Sequence, residues 1–246
     1  DGSTVLSFSN ESDAPRLVKV NNGFQFIQGN IASPTINTSI NGTIGEYHIV
    51  SGVYNGSSIS LYLDGKKGIE HITNSNLSFL SEMIIGGGAE GTSSYFDGDI
   101  LGVSVLENSV SLAERQKMES YFALKYGITL DHLDDETIIT DGNYVSSAGT
   151  VIWNYNLNTT YHNMVAGIGY NKCGKLNQRQ ATSIKGDIVT VGLGTIHSLN
   201  SENTESFSTD DSYFIFGNNN EENDSFKVTD FGTSLNGENI EGRIKR

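Results

Sequence analysis

The sequence predicts an all-β protein: a β-sandwich unit, one connecting α-helix at about 111–126, then a second β-sandwich-like unit. Three observations predict it. Short apolar runs of strand length recur between Asn/Gly/Asp-rich breakers along almost the whole chain. Uncharged polar residues dominate, with charged residues at 18% and hydrophobic ones at 36%, a balance that suits solvent-facing strands and turns. A single stretch, Ser111 to Leu130, has helical spacing and both helix-end signals. At 246 residues the chain is long enough for two modest cores. The boundaries read as 1–108, a helix and acidic linker over 109–136, and 137–246.

In the first unit, strands are expected at Val5–Phe8, Arg16–Val20 and Phe24–Ile27, separated by polar breakers. Tyr47–Tyr54 and Ser58–Leu63 flank Asn55-Gly56, the strongest short hairpin signal. Ile59, Leu61 and Leu63 alternate with Ser58, Ser60 and Tyr62, which gives the return strand one buried and one wet face. Asp64-Gly65 makes the next turn. Met83–Ile85 runs into the Gly86–Gly88 triplet, which lacks the spacing of a phosphate loop and reads as a strand edge or bulge. Ile100–Leu106 is apolar enough to be expected in the sandwich interior.

The helix is the best-specified element. Ser111 and Glu114 form an S-x-x-E capping box, in which the hydroxyl takes an orphan helical N–H and the carboxylate reaches back. Glu114 in the first turn and Lys125 in the last suit the helix dipole. Met118, Tyr121 and Phe122 share one face, which is therefore the expected packing face, and Gly127 stands at the C-terminal cap. After the acidic link Asp131–Glu136, strands are expected at Thr137–Ile139, Thr150–Trp153, Met164–Ile168, Asp187–Val191 and Tyr213–Phe216, with Trp153 as the core anchor.

Two ordered series of motifs carry a resemblance. Tyr47-His-Ile-Val50, Leu61-Tyr-Leu-Asp-Gly65, Ile84-Ile-Gly-Gly87, Phe96-Asp-Gly-Asp-Ile100 and Leu112-Ala-Glu-Arg115 resemble the laminin-G-like, concanavalin-A-like jelly roll over residues 45–126. The run Glu119–Thr129, followed by Gly149–Trp153, Ala166–Gly169, Leu176–Gln180, Val191–Gly194 and Phe216–Asn220, is similar to a domain of unassigned function. That domain follows laminin-G-like modules in large bacterial surface proteins, notably of Bacteroidota and marine bacteria. The resemblance implies an adhesin-like segment of a longer secreted or cell-surface protein, with neighbouring domains of the same chain among its partners. It implies a first unit short of strands at its start and a second unit cut short at its end. Ile240-Glu-Gly-Arg243 also matches a protease-site tag; the resemblance reads it as native.

The charge pattern excludes some classes. A formal net charge of −14, with no local Lys/Arg cluster, repels phosphate backbones and anionic membranes, so no nucleic acid is expected. No apolar run approaches the roughly 20 residues of a membrane span. The lone Cys173 forms no internal disulfide and sits in a turn-like NKCGK with no claim on a histidine.

Catalytic patterns are absent from the sequence. Glucanases of the concanavalin-A-like fold carry E-x-D-x-x-E on one strand, which places alternate acids on one face; no such run occurs, and Asp97 and Asp99 straddle Gly98 instead. The five histidines form neither H-x-x-x-H nor H-E-x-x-H, and there is no G-x-S-x-G elbow. A non-catalytic protein is therefore expected. Calcium is the one metal left open, with Asp97, Asp99, Asp131, Asp134 and Asp135 as candidate oxygen ligands beside the reading of solvated acidic turns. Tyr155, Tyr161 and Tyr170, in turn-like surroundings near Trp153, are the candidates for stacking on a sugar, beside the reading that they seal the sandwich ends. Glycans or cell-surface proteins are the expected ligands. A carbohydrate-binding module of a multidomain enzyme is the alternative, and a glycoside hydrolase comes behind both.

Overall fold

The computed structural model describes residues 2–8, 15–30, 33–72, 82–87, 95–131, 142–185, 189–220, 226–231 and 240–244. Among them the protein is built of β-sheets and a single α-helix. It divides into two compact units, one of residues 1–63 and 67–110, the other of residues 64–66 and 111–246.

The first unit is two antiparallel sheets. Strands β1 (Ser3–Ser7), β2 (Arg16–Val20), β3 (Gly23–Asn30), β4 (Ser33–Asn41) and β8 (Ile84–Ile85) form one, in the order β4-β3-β2-β1-β8. Strands β5 (Val50–Tyr54), β6 (Ser58–Leu63) and β7 (Lys66–Ile72) form the other. Ile59, Leu61 and Leu63 of β6 join them by packing with Phe26 and Ile40 into a buried cluster. The opposite face is not the wet one expected: Ser58 and Ser60 are buried and Tyr62 is half-buried, because β6 is the middle strand of its sheet. A Thr38 hydroxyl donating to the Ile69 carbonyl ties β4 to β7. Asn55-Gly56 forms the β5–β6 turn, with Gly56 at a φ of 93° that glycine adopts without strain.

The stretch Ile100–Leu106 departs from expectation. It has no regular secondary structure, and Leu101, Val103, Val105 and Leu106 are exposed. Apolar alternation buries a strand only when a neighbouring strand completes its ladder. No ladder among the described strands includes residues 102–106.

The second unit has more layers. Sheet β12-β11-β15-β16 is made of β11 (Asn163–Asn171), β12 (Leu176–Gln178), β15 (Ser212–Asn218) and β16 (Phe226–Phe231). Sheet β13-β14-β17 is made of β13 (Gln180–Thr182), β14 (Val189–Leu193) and β17 (Ile240–Ile244). Ala166, Ile168 and Phe216 from the first meet Ala181, Val191 and Leu193 from the second. By strand alternation, Tyr213 and Ile215 turn to the opposite face. There α1 (Leu112–Tyr126) packs on β11, and the ribbon of β9 (Tyr144–Val145) and β10 (Val151–Trp153) packs on β15 and, through β9, on the helix. Gly169 lies directly across from Tyr213, and a Cβ there would stand 2.5 Å from the tyrosine ring. The glycine is what lets the ring lie across the strand.

Both helix ends follow the sequence. Ser111 Oγ accepts from the Glu114 N–H, the Glu114 carboxylate accepts from the Ser111 N–H at 2.8 Å, and Gly127 caps at φ 69°. A Cβ at Gly127 would also meet the Thr182 carbonyl at 2.3 Å, so the cap needs glycine twice over.

The buried face of the helix is not the expected one. Arg115, Glu119, Ser120, Ala123 and Leu124 are buried, while Met118, Tyr121 and Phe122 are half-buried. Arg115 Nη1 reaches both Glu119 oxygens, at 2.9 and 2.7 Å, and donates to the Gly65 carbonyl at 3.2 Å. Pairing neutralises two charges that burial alone would forbid. An apolar stripe was therefore a poor guide to the packed side.

Beyond the helix, the chain is pinned by side chains. Tyr144 OH donates to the Ile128 carbonyl and accepts from the Leu130 N–H, both at 3.1 Å. Its full burial pushes the phenol well above its ordinary range. Trp153 is fully buried, as expected of the anchor, and its Nε1 donates to His162 Nδ1 at 3.0 Å. Since an indole N–H can only donate, Nδ1 accepts, and Nε2 carries the proton that it gives to the Leu130 carbonyl at 2.7 Å.

Candidate functional site

Among the described residues, the feature of the second unit best suited to present a surface is the connection from β14 to β15. Residues 194–211 contain no helix or strand. A connection this long without regular structure is uncommon in a compact unit and is more often functional than idle. Such a loop needs its backbone groups satisfied locally. Here side-chain amides do it.

Asn203, fully buried, donates from Nδ2 to the carbonyls of Leu193 (2.9 Å) and Thr195 (2.8 Å), and its Oδ1 accepts from the Glu205 N–H at 3.0 Å. Asn200 Oδ1 accepts from the Arg179 and Gln180 N–H groups at 2.6 and 3.1 Å, and its Nδ2 donates to the Asn177 carbonyl at 3.0 Å. Gln180 copies a strand neighbour: Nε2 donates to the His197 carbonyl and Oε1 accepts from the His197 N–H, each at 2.8 Å. Arg179 donates from Nη1 to the Asn203 carbonyl and from Nε to Asn177 Oδ1. The loop is held in one shape, with Thr195, His197, Leu199, Glu202 and Glu205 exposed on it. A surface ordered in advance loses little entropy on binding.

Tyr170 belongs to this region. It stands across from Asn177 and Ser212 near the end of β11, and its ring stacks on Phe207 of the loop, with centroids 6.2 Å apart and planes 14° apart. Phe207 in turn packs against the core between the two sheets. The pair thus closes the end of the sandwich while remaining half-buried.

Tyr155 and Tyr161 lie elsewhere. They sit in two 3₁₀ turns, Tyr155–Leu157 and Thr159–Tyr161, ahead of β11. Tyr155 meets the His162 ring edge-on at 4.9 Å, and its N–H donates to Asn143 Oδ1 at 2.7 Å. Roughly seven strand residues, about 23 Å at 3.3 Å each, separate that corner from Tyr170. The three tyrosines do not form one platform.

Next to the loop lies an acidic corner. Asn171 Oδ1 accepts from Ser147 Oγ and the Gly174 N–H, both at 2.5 Å, and its Nδ2 donates to Asp211 at 2.8 Å. Asp210 accepts from the Lys172 N–H at 2.7 Å. Burial, then the adjacent Asp211 carboxylate, pushes the Tyr213 phenol well above its ordinary range. Cys173 is exposed in the intervening turn.

Of the calcium candidates, Asp97 and Asp99 lie in the first unit. Asp99 accepts from Tyr47 OH at 2.9 Å, and that bond raises the tyrosine above its ordinary value. Asp97 precedes it in the same exposed segment. Asp131 lies in the second unit, where its N–H donates to the Asp64 carbonyl. Asp134, Asp135 and the strand expected at Thr137–Ile139 fall outside the described residues. Among the described residues no three His, Cys, Asp or Glu side chains converge as a metal site. The amide network was missed from sequence, since the abundance of Asn gives composition but not which residues meet.

Comparison with known proteins follows the order of the sequence motifs. Residues 2–114 match the family described as Concanavalin A-like lectin/glucanases superfamily, and residues 114–246 match the one described as Domain of unknown function (DUF8202). No curated protein matches the chain. Among solved structures, an S-layer domain-containing protein (residues 221-444) from Clostridium thermocellum ATCC 27405 is similar, with 20% identity and a TM-score of 0.28. The match covers 45% of this chain and 58% of that one, so the chain spans little more than half of that structure. No helix among the described residues is long and apolar enough to cross a membrane.

Proposed function

We propose, from the premise that this chain belongs to the family described as Domain of unknown function (DUF8202), that it is a non-catalytic segment of a larger secreted or cell-surface protein. In that role it serves adhesion or spacing, and its ligands are glycans or surface proteins. One observation carries this reading: the lectin/glucanase-like first domain lacks the E-x-D-x-x-E run that glucanase chemistry needs on such a strand. The 194–211 loop, held by its own amides, supplies with the Tyr170–Phe207 pair a surface of the kind a ligand uses, an aromatic pair on a loop that also exposes His197, Glu202 and Glu205. The lectin/glucanase match equally supports a second reading, a carbohydrate-binding module serving an enzyme in the same long chain.

The test is a glycan-array screen of the folded protein in calcium and in EDTA, run beside an assay for released reducing sugar. Binding without sugar release is expected, weakened by Tyr170→Ala. Dependence on calcium would make the acidic candidates Asp97, Asp99, Asp131, Asp134 and Asp135 the next targets. Released sugar would overturn the non-catalytic reading. Silence in both buffers would overturn the glycan reading and leave a spacer or protein-binding role.

A further inference from the structure

The Asn55-Gly56 turn has a chemical property beyond its role as a hairpin signal. Asn55 Oδ1 accepts three hydrogen bonds, from the Ser57 N–H (3.0 Å), the Ser57 hydroxyl (3.1 Å) and the Ser58 N–H (2.8 Å). Its Nδ2 donates to Ser58 Oγ at 3.0 Å. Three donors on one carboxamide oxygen draw electron density from Cγ and are already placed where negative charge would gather if Cγ were attacked. The atom that would attack is the backbone nitrogen of Gly56. Its N–H enters no turn or loop hydrogen bond among the described residues, and nothing lies within 4 Å of where a Cβ on Gly56 would stand. The turn around it is held, with the Asn55 N–H donating to the Ser58 carbonyl and the Tyr54 hydroxyl to the Gly56 carbonyl, each at 3.1 Å, while the Gly56 N–H is left out of that set.

Two other Asn-Gly pairs in the described residues serve as built-in controls. The Gly42 N–H donates to the Asn22 carbonyl at 2.9 Å, which engages the nucleophile beside Asn41. Gly23, beside Asn22, lies inside the β3–β4 ladder, where even a Cβ would come within 2.0 Å of the Ile40 carbonyl. The controls are thus engaged or crowded at the glycine, where Gly56 is open.

We propose that Asn55 is a self-modifying site at which the folded hairpin promotes deamidation. The Gly56 nitrogen attacks Asn55 Cγ, the new N–Cγ bond forms, and the Cγ–Nδ2 bond breaks. Ammonia leaves with the proton given up by Gly56, and a cyclic imide remains. Water then opens the imide at one of its two C–N bonds, giving aspartate or isoaspartate at position 55. The product adds one negative charge to the tip of the β5–β6 hairpin. When the imide opens to isoaspartate, the turn also lengthens by one backbone carbon.

The experiment is peptide mass mapping of the whole chain during incubation at neutral and mildly alkaline pH, with an isoaspartate-specific methyltransferase assay. In folded protein, deamidation at Asn55 is expected to outpace Asn22 and Asn41, and to accelerate with pH as the Gly56 nitrogen loses its proton. In strong denaturant the three sites should converge. Ser57→Ala removes one donor and should slow Asn55 about fivefold, the rate equivalent of one net hydrogen bond; a melting curve verifies that the variant is folded. An Asn55 that lags either control in the folded state overturns the proposal. So does a Ser57→Ala variant that deamidates as fast or faster, because the hydrogen bonds would then be shielding the amide.

Discussion

The two units solve the problem of a small core differently. Among the described residues the first packs an apolar cluster between two sheets, and several of its large apolar side chains stay in water, including Ile69 at 67% and Ile72 at 78% exposure. The second buries large aromatic groups, with Trp153, Tyr144 and Tyr213 among the largest fully buried side chains, and hydrogen bonds couple Tyr144 directly, and Trp153 through His162, to the segment that follows the helix. It also buries an ion pair and an amide network. Buried polar groups of this sort add little net stability while they are satisfied, but losing one partner is severe. The second unit should therefore be brittle to single substitutions at these polar positions. In the first unit, which also buries Arg16, Thr4 and Ser7, the cluster that joins the two sheets should respond mainly to changes in apolar volume.

The ion pair offers the sharpest way to break that contrast. Glu119→Ala leaves Arg115 buried without its carboxylate, and a loss of about 3–5 kcal/mol is expected. Removing both charges with Arg115→Met and Glu119→Leu should restore most of it, since desolvation of the pair offsets its attraction. Trp153 is the single tryptophan, so its fluorescence follows the second unit alone during denaturant unfolding. A single variant as stable as the parent would show that the pair is solvated and that the contrast between the units fails at this point.

A smaller effect is expected at the loop. Asn203→Ala removes the group that satisfies the Leu193 and Thr195 carbonyls, at about 1–3 kcal/mol if they are left without partners. Hydrogen exchange should show faster opening over 194–211 while the strands keep their protection. Equal protection in parent and variant would mean that water replaces the amide, and that the loop is not held in advance for a ligand.

How much of this could be read from the chain depends on whether the cause was local. The capping box at Ser111 and Glu114, the glycine cap at Gly127 and the Asn55-Gly56 hairpin are decided by residues within a few positions of one another, and they were legible. Trp153 was legible because size and apolarity favour burial in any context. The packed face of the helix was not: its buried side is held by Arg115 and Glu119, whose pairing is an (i, i+4) option that a reading of apolar spacing passes over. The stretch 100–106 misled for the opposite reason, since its apolar alternation says nothing about whether a neighbouring strand is present. Of the candidate site, Tyr170 was named from sequence, but its partner Phe207 and the amides of Asn177, Gln180, Asn200 and Asn203 meet only through the tertiary fold. Each is an ordinary surface residue in the sequence.

The smallest effect tests whether local signals at the helix start matter once the unit has folded. Hydrogen bonds from the Ser111 backbone and side chain hold the Glu114 carboxyl below its ordinary value. A carboxylate with a lowered folded pKa contributes stability that is fully present above its unfolded pKa and is lost as pH falls through the folded value. Glu114→Gln removes that titration. Parent and variant should then differ near neutral pH, and the difference should shrink as pH drops below about 4.3, the ordinary carboxyl value for glutamate. Tryptophan-monitored melts across that range measure it. A gap that stays constant with pH would mean that the carboxylate acts through packing. A gap that is absent at every pH would mean that tertiary contacts alone set this helix end, as they set its buried face.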